Sequence, residues 1–151
     1  MANHVHKQLR DAAVTALTGL TTTGANCFGS RVYPLPAATT AALKVYVQSS
    51  EAEVIEVSDP AVYQDTVELR VEAVAKAASG FDDTVDQIKK EVTIALSGGL
   101  TVGSATVEID YLGSDVEFDA ETEKPVASCV MRFEAVLFWS ADAPDVLQSS
   151  T

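Results

Sequence analysis

Residues 115–123 read Asp-Val-Glu-Phe-Asp-Ala-Glu-Thr-Glu, with a carboxylate at every second position: Asp115, Glu117, Asp119, Glu121 and Glu123. Side chains alternate faces in an extended chain. This spacing places the five acids on one side and leaves Val116, Phe118 and Ala120 free to pack on the other. Such a row has three possible chemistries: a calcium loop, a pair of acids for hydrolysis, or a wall of negative charge. Asp115, Glu117 and Asp119 match the first, third and fifth ligand positions of an EF-hand loop. Ala120 stands where that loop needs glycine, and Val126 where it needs glutamate. Hydrolytic acids must face one another across a cleft with separated pKa values, and a single exposed strand offers no opposing partner. The wall of charge is the reading that survives. It repels polyanions and suits a structural part better than a catalyst.

Other reactive side chains are few. His4 and His6 are the only histidines. With Asp11 they would make at most a three-ligand metal site, and no third histidine or cysteine at ligand spacing supports one. Cys27 and Cys129 lie far apart, fit no C-x-x-C pattern, and read as two buried thiols in a reducing compartment. The G-x-S-x-G, G-x-x-x-x-G-K-[ST] and G-x-G-x-x-G motifs are absent. The expectation is no catalytic residue, no metal and no cofactor. Arg31 is either an ordinary surface arginine or the partner of a carboxylate on a neighbouring subunit. Arg70 and Arg132 sit among Glu68, Glu72 and Glu134, where pairing within the sheet is the plain account.

Charge sharpens this picture. The chain has 151 residues and a net charge of −12. Its first fifty residues hold Lys7, Arg10, Arg31 and Lys44 against Asp11 alone, and the rest holds six bases against twenty-one acids. Nucleic-acid binding through phosphates needs basic clusters, and the sequence has none. No apolar run approaches the roughly 18 residues of a membrane span. The N-terminus lacks the apolar core of a secretion signal, which predicts a cytoplasmic chain. The length is that of one domain.

The elements that hold these residues follow from periodicity. Val5, Leu9, Ala12, Ala13, Ala16, Leu17 and Leu20 recur at helical spacing, predicting a helix over 5–20. A short strand is expected within 25–32, before Tyr33-Pro34-Leu35-Pro36, whose prolines forbid a helix or central strand. Alternation predicts strands at 43–48, 53–57, 67–75, 105–111 and 126–139, and the loop 49–65 is expected to be mobile. A second helix spans about 82–96, with Asp82, Asp83 and Asp86 at its positive end and Val85, Ile88, Val92, Ala95 and Leu96 as its apolar stripe. Gly98-Gly99 ends that helix, and residues up to Gly103 read as loop. Leu112-Gly113-Ser114 reads as a turn into the acidic row. Each helix has one apolar stripe and needs one apolar partner. The predicted fold is α+β, a mostly antiparallel mixed sheet with both helices on one face, over 1–139, followed by a loose tail over 140–151. The second face of the last strand carries Val130, Val136 and Phe138. That is too apolar for plain solvent and points to a further buried contact, such as a second subunit.

In series, the motifs Leu9-Arg10-Asp-Ala-Ala-Val-Thr-Ala-Leu17, Ser30-Arg31-Val32-Tyr33-Pro34-Leu35-Pro36, Leu43-Lys44-Val45-Tyr46, Thr66–Val74, Asp83–Leu96 and Met131–Trp139 resemble the tail terminator (minor tail protein U) family of long-tailed bacteriophages. The resemblance covers about residues 5–139. Ala41-Ala42 stands where relatives often carry a proline, and Trp139 where a tyrosine is common. The resemblance implies a non-enzymatic virion protein, assembled in the host cytoplasm and located at the head–tail junction. It would close as a homohexameric ring on the end of the tail tube, stop tube polymerisation and offer the surface that a head-completion or connector protein joins. DNA would pass through the ring without specific binding, and no membrane is involved. Asp115, Glu117, Asp119, Glu121 and Glu123 would then line the channel, and Arg31, Tyr33, Arg132, Val136 and Phe138 would meet the next subunit. Two alternatives stay open: another head–tail connector or tail-completion protein, and a soluble binding module unrelated to phage.

Overall fold

A computed structural model describes residues 3–29, 41–76, 81–103, 105–119 and 126–148. The elements run α1 (Val5–Leu17), β1 (Cys27–Phe28), β2 (Ala41–Glu56), β3 (Val62–Lys76), α2 (Phe81–Leu96), β4 (Leu100–Val102), β5 (Ala105–Val107), β6 (Ile109–Asp119) and β7 (Val126–Ser140). Five strands form one sheet in the order β1-β2-β3-β7-β6, and β4 and β5 form a small hairpin. Every pairing in the large sheet is antiparallel except β1 with β2. This is the expected α+β fold.

One face of the sheet carries the core. Leu43 and Val45 of β2, Val67, Leu69 and Val71 of β3, and Met131, Phe133 and Leu137 of β7 are buried in one cluster with Val5, Leu9, Ala13 and Leu17 of α1 and Val85, Ile88, Val92 and Leu96 of α2. Both helices therefore lie against the same face, each through the stripe its sequence carries. Burying one such Leu or Phe fully contributes about 1.5–3 kcal/mol relative to leaving it exposed.

Several elements depart from the sequence reading. Helix α1 stops at Leu17, because Thr18 is already extended and Gly19 has φ 93°. The strands expected at 43–48 and 53–57 are one strand, carried past extra residues at Gln48 and Ile55 by register shifts. The loop expected at 49–65 is instead mostly a two-stranded arm, Ser49–Glu56 against Val62–Glu68. The polar, acidic composition of 49–56 reflects exposure of that strand on both faces rather than lack of structure. The turn expected at Leu112–Ser114 is a bulge inside β6, between Tyr111 and Gly113. Glu108 splits the strand expected at 105–111 between the hairpin and the main sheet. Residues 100–102, read as loop, pair with β5.

Both chain ends dock on this frame. Val5 N–H donates to the Pro144 carbonyl at 2.9 Å, Ala141 N–H to the Ala61 carbonyl at 2.9 Å, and Gln148 N–H to the Phe138 carbonyl at 2.7 Å. Under α1, Asp65 is 1% exposed. Its Oδ2 takes His6 Nε2 at 2.6 Å and Trp139 Nε1–H at 3.0 Å. This carboxylate bolts the first turn of the helix to the ends of β3 and β7.

Candidate assembly surfaces

The acidic row lies where alternation puts it. In β6, Asp115 stands opposite Val130, Glu117 opposite Ser128 and Asp119 opposite Val126 of β7. Those positions share the sheet face away from the helices, since Val116 pairs with Cys129 of the core face. The Asp115 and Glu117 side chains are exposed. Val116 is 53% exposed. The helices cover β2, β3 and β7 but leave Val116, on the other side of this row, open as well. Strand β6 ends at Asp119, and Glu121 and Glu123 lie outside the described residues, as do Arg31 and Tyr33.

Arg132 points from β7 toward this row. Its Nε is 3.8 Å from Asp115 Oδ2, beyond hydrogen-bond range, and has no bonded partner. Its guanidinium lies over the β6 bulge. A Cβ at Gly113 would sit 2.9 Å from the Arg132 Nη2, a flexible side-chain end that can move aside, but the φ of 153° there is a backbone conformation that side chains rarely adopt. Arg132 is directly opposite Arg70, and Glu134 directly opposite Glu68. Arg70 Nε donates to Glu68 Oε2 along its own strand at 2.9 Å. The plain expectation of pairing within the sheet thus holds for Arg70. Across the strands, like charges meet, an arrangement that opposes sheet pairing.

Val136 and Phe138, the other two expected interface residues, are half-buried. They line a cavity of about 510 Å³ together with Glu108, Asp110, Leu147 and Gln148, among others. The cavity exists because β7 outruns β6. The first β6 residue, Ile109, pairs with Ala135, while Val136–Ser140 pair with β3 and have no β6 partner; on that outer side Gln148 N–H reaches the Phe138 carbonyl and Ser140 bridges to Ala143.

The arm is a third surface, unmarked in the sequence reading. Its residues 48–60 are exposed throughout and include Glu51, Glu53, Glu56 and Asp59 with no base. Val54, Ile55 and Val57 are 46%, 49% and 95% exposed. Acids along a bare edge strand discourage pairing with a second sheet.

The histidines do not gather ligands. His6 is bound to Asp65, while Asp11 pairs with Lys7 at 2.7 Å. Burial, and then the neighbouring His6, hold the His4 imidazole below its usual pKa. Among the described residues no group of three or more metal-ligating side chains forms. Cys27 and Cys129 are buried and unbridged. Burial pushes the Cys27 thiol up to about 11, and it raises Cys129 as well. An activated thiol has the opposite shift. Asp65 and its two donors escaped the sequence reading. The available signal was parity, because Asp65 falls two residues before Val67 on the face that is buried.

No protein-family model matches the chain, and no curated protein does. Among solved structures it is similar to a chain from the virion of a native gene transfer agent particle, at 19% identity and a TM-score of 0.50, over 88% of this chain and 92% of that one. A second solved chain, of a protein given no functional description, is similar at 15% identity and a TM-score of 0.52, over 89% and 91% of the two lengths. At these identities the likeness concerns the fold, and it spans nearly all of each molecule.

Proposed function

We propose that this chain is a structural component of a phage-like virion, and specifically a tail terminator. In this role it forms a homohexameric ring on the end of the tail tube, halts tube growth and presents a face to a head-completion or connector protein. The observation that carries the reading is the end-to-end likeness of fold to a gene transfer agent virion chain, reached independently of the sequence resemblance to tail terminators. The surfaces suit the role. A ring needs two unlike patches that meet head to tail. This chain offers a bare acidic strand at one side of its sheet and a first third with a surplus of bases at the other. Asp115, Glu117 and Asp119, with Glu121 and Glu123 beyond them in sequence, border the channel and keep DNA phosphates from adhering as DNA passes. Arg31, Tyr33, Arg132, Val136 and Phe138 belong to the contact between subunits. No catalytic step and no cofactor enters this role, and the site of action is the head–tail junction.

The test is electron microscopy of purified protein mixed with tail tubes. Sixfold collars on tube ends, and tubes of arrested length, are expected. Tubes that keep growing uncapped in excess protein refute the terminator. A collar at the head vertex instead would favour a connector or tail-completion role.

A further inference from the structure

The bare face of the sheet is ruled into rows that run across the strands, two residues apart. From β2 to β6, successive rows read Lys44-Glu72-Val130-Asp115, then Tyr46-Arg70-Arg132-Gly113, then Ser49-Glu68-Glu134-Asp110, then Glu51-Thr66-Val136 with no β6 residue. Charges of one sign therefore stand side by side in the two middle rows, and the sign reverses between those rows. Within the molecule this arrangement goes largely unanswered. Arg70 holds Glu68 along its own strand. Glu134, Lys44 and Glu51 have no hydrogen bond or ion pair with a described residue, and Arg132 Nε lacks a bonded partner.

A pattern of this kind is answered by its own reverse. A second copy turned over about a two-fold axis, lying across the strands midway between the arginine row and the Glu68 row, keeps each strand above its counterpart and exchanges the rows in pairs. Arg132 then faces the second copy's Glu134, Arg70 its Glu68, and Lys44 its Glu51. Val130 faces the second copy's Val136, and Ser128 its Phe138. Each contact occurs twice. Among these rows Asp115 alone is brought toward an acid, Glu108, just past the start of β6. The neighbouring axes do worse. One through the arginine row sets Arg132 against itself. One placed a row lower sets Val130 against Arg132 and Asp110 against Glu117. Sheets packed face to face lie about 10 Å apart, within reach of an arginine meeting a glutamate.

We propose that the free chain pairs face to face with a second copy across this axis, through Arg70, Arg132 and Lys44 against Glu68, Glu134 and Glu51. From Ser128 to Phe138 along β7, and across β2, β3, β7 and β6, the face covers roughly 600 Å² on each copy, at about 4.8 Å per strand and about 3.3 Å per residue. A total of about 1,200 Å² is at the lower end for a specific interface, so the pair is reversible. This pairing goes beyond the ring reading and does not rest on it. An isologous pair closes on itself. It covers Arg132 and Val136, and it has to open before these residues can meet a neighbour in a ring.

Sedimentation equilibrium over rising concentration tests the pair without tail tubes. Wild type is expected to pass from monomer to dimer. R132E and E134R should each weaken the dimer at least tenfold, since each sets like charges across the axis. Mixed in equal amounts, the two variants should form a heterodimer within threefold of wild-type affinity, because together they restore opposite charges at both contacts. The double variant R132E/E134R should pair equally well with itself. K44E, E51K and their mixture repeat the test on β2, and thermal melting checks that each variant keeps the fold. A wild type that stays monomeric, or that assembles past the dimer, overturns the pairing and leaves the ring reading untouched. So does a mixture of R132E with E134R, or of K44E with E51K, that associates no better than its components. Dimers that behave as described, with no collars on tail tubes, would remove the ring and leave the pair.

Discussion

The two faces of the central sheet are made by the same strands under opposite rules. On the covered face, Leu69, Val71, Met131 and Phe133 are withdrawn from solvent against two helices. On the other, one residue along each strand, Glu68 meets Glu134 and Arg70 meets Arg132. A sheet selected only for stability would exchange one member of each pair and place opposite charges in register. The bare face gives up that gain, and it also leaves Arg132 Nε without a bonded partner. Stability resides on one side. The other side is left incomplete, as expected of a surface that a neighbour finishes.

The widest gap between the faces should appear in substitutions one residue apart. Phe133→Ala opens a cavity in the core and is expected to cost about 3–5 kcal/mol in urea unfolding. Glu134→Gln removes a like-charge neighbour on the bare face and should change stability by no more than about 0.5 kcal/mol, in the stabilising direction if at all. Equal losses would dissolve the distinction between the faces.

A smaller effect belongs to the exception on the covered face. Asp65 is a carboxylate among core residues, held by His6 and Trp139, with Oδ1 lacking a partner. Asp65→Ala leaves two partly buried donors without their acceptor, and about 1–3 kcal/mol should be lost, toward the lower end because His6 can reach water. Trp139 fluorescence should shift, since the indole N–H loses its acceptor. No change in either readout would mean that the bolt between α1 and the sheet contributes nothing.

The sequence made the covered face legible and the bare one only partly so. Period-2 and period-3.6 patterns found both helices, the core strands and the side of the sheet they share, because burial imposes those periods. The arm was missed for the converse reason. Residues 49–56 are held by backbone pairing to β3 and exposed on both faces, so nothing forced their side chains to alternate. The bulge at Leu112 reads as a turn because Gly113 looks like a turn residue, whereas its φ of 153° serves an irregularity inside a continuing strand. In the acidic row Asp115 and Glu117 are exposed at alternate positions of β6, since alternation alone fixes which way a strand's side chains point. What covers Val116, and what answers Glu108 and Asp110, depends on where elements far apart in sequence stop, and no local pattern encodes that.

On the bare face the acidic row should matter for traffic rather than folding. Asp115→Asn with Glu117→Gln is expected to leave stability within about 0.5 kcal/mol. On the ring reading, rings carrying both changes should retain duplex DNA at low salt more than wild-type rings, with the difference fading toward physiological salt, where the Debye length is about 8 Å. Equal retention at every salt concentration would remove Asp115 and Glu117 from the channel wall.

The smallest effect tests whether charge on the covered side is structural in the way charge on the bare side is not. Glu91 of α2 ties that helix to the turn after α1. It accepts Thr22 N–H at 2.9 Å, Thr22 Oγ1–H at 2.6 Å and Gln87 Nε2–H at 2.9 Å. Burial pushes its pKa up, but the hydrogen bonds from Thr22 and Gln87 outweigh that and hold it below the usual 4.5. A depressed carboxyl pKa stabilises the fold above the unfolded value, and the contribution is lost as pH falls from there through the folded value. Wild type should therefore lose slightly more stability than Glu91→Gln as pH drops below about 4.5. The difference should stay under about 1 kcal/mol, since Glu91 remains partly open to solvent and is screened. Parallel pH curves for wild type and Glu91→Gln would show that even the helix-side carboxylate is bystander charge, leaving the covered face held by its apolar stripes and Asp65.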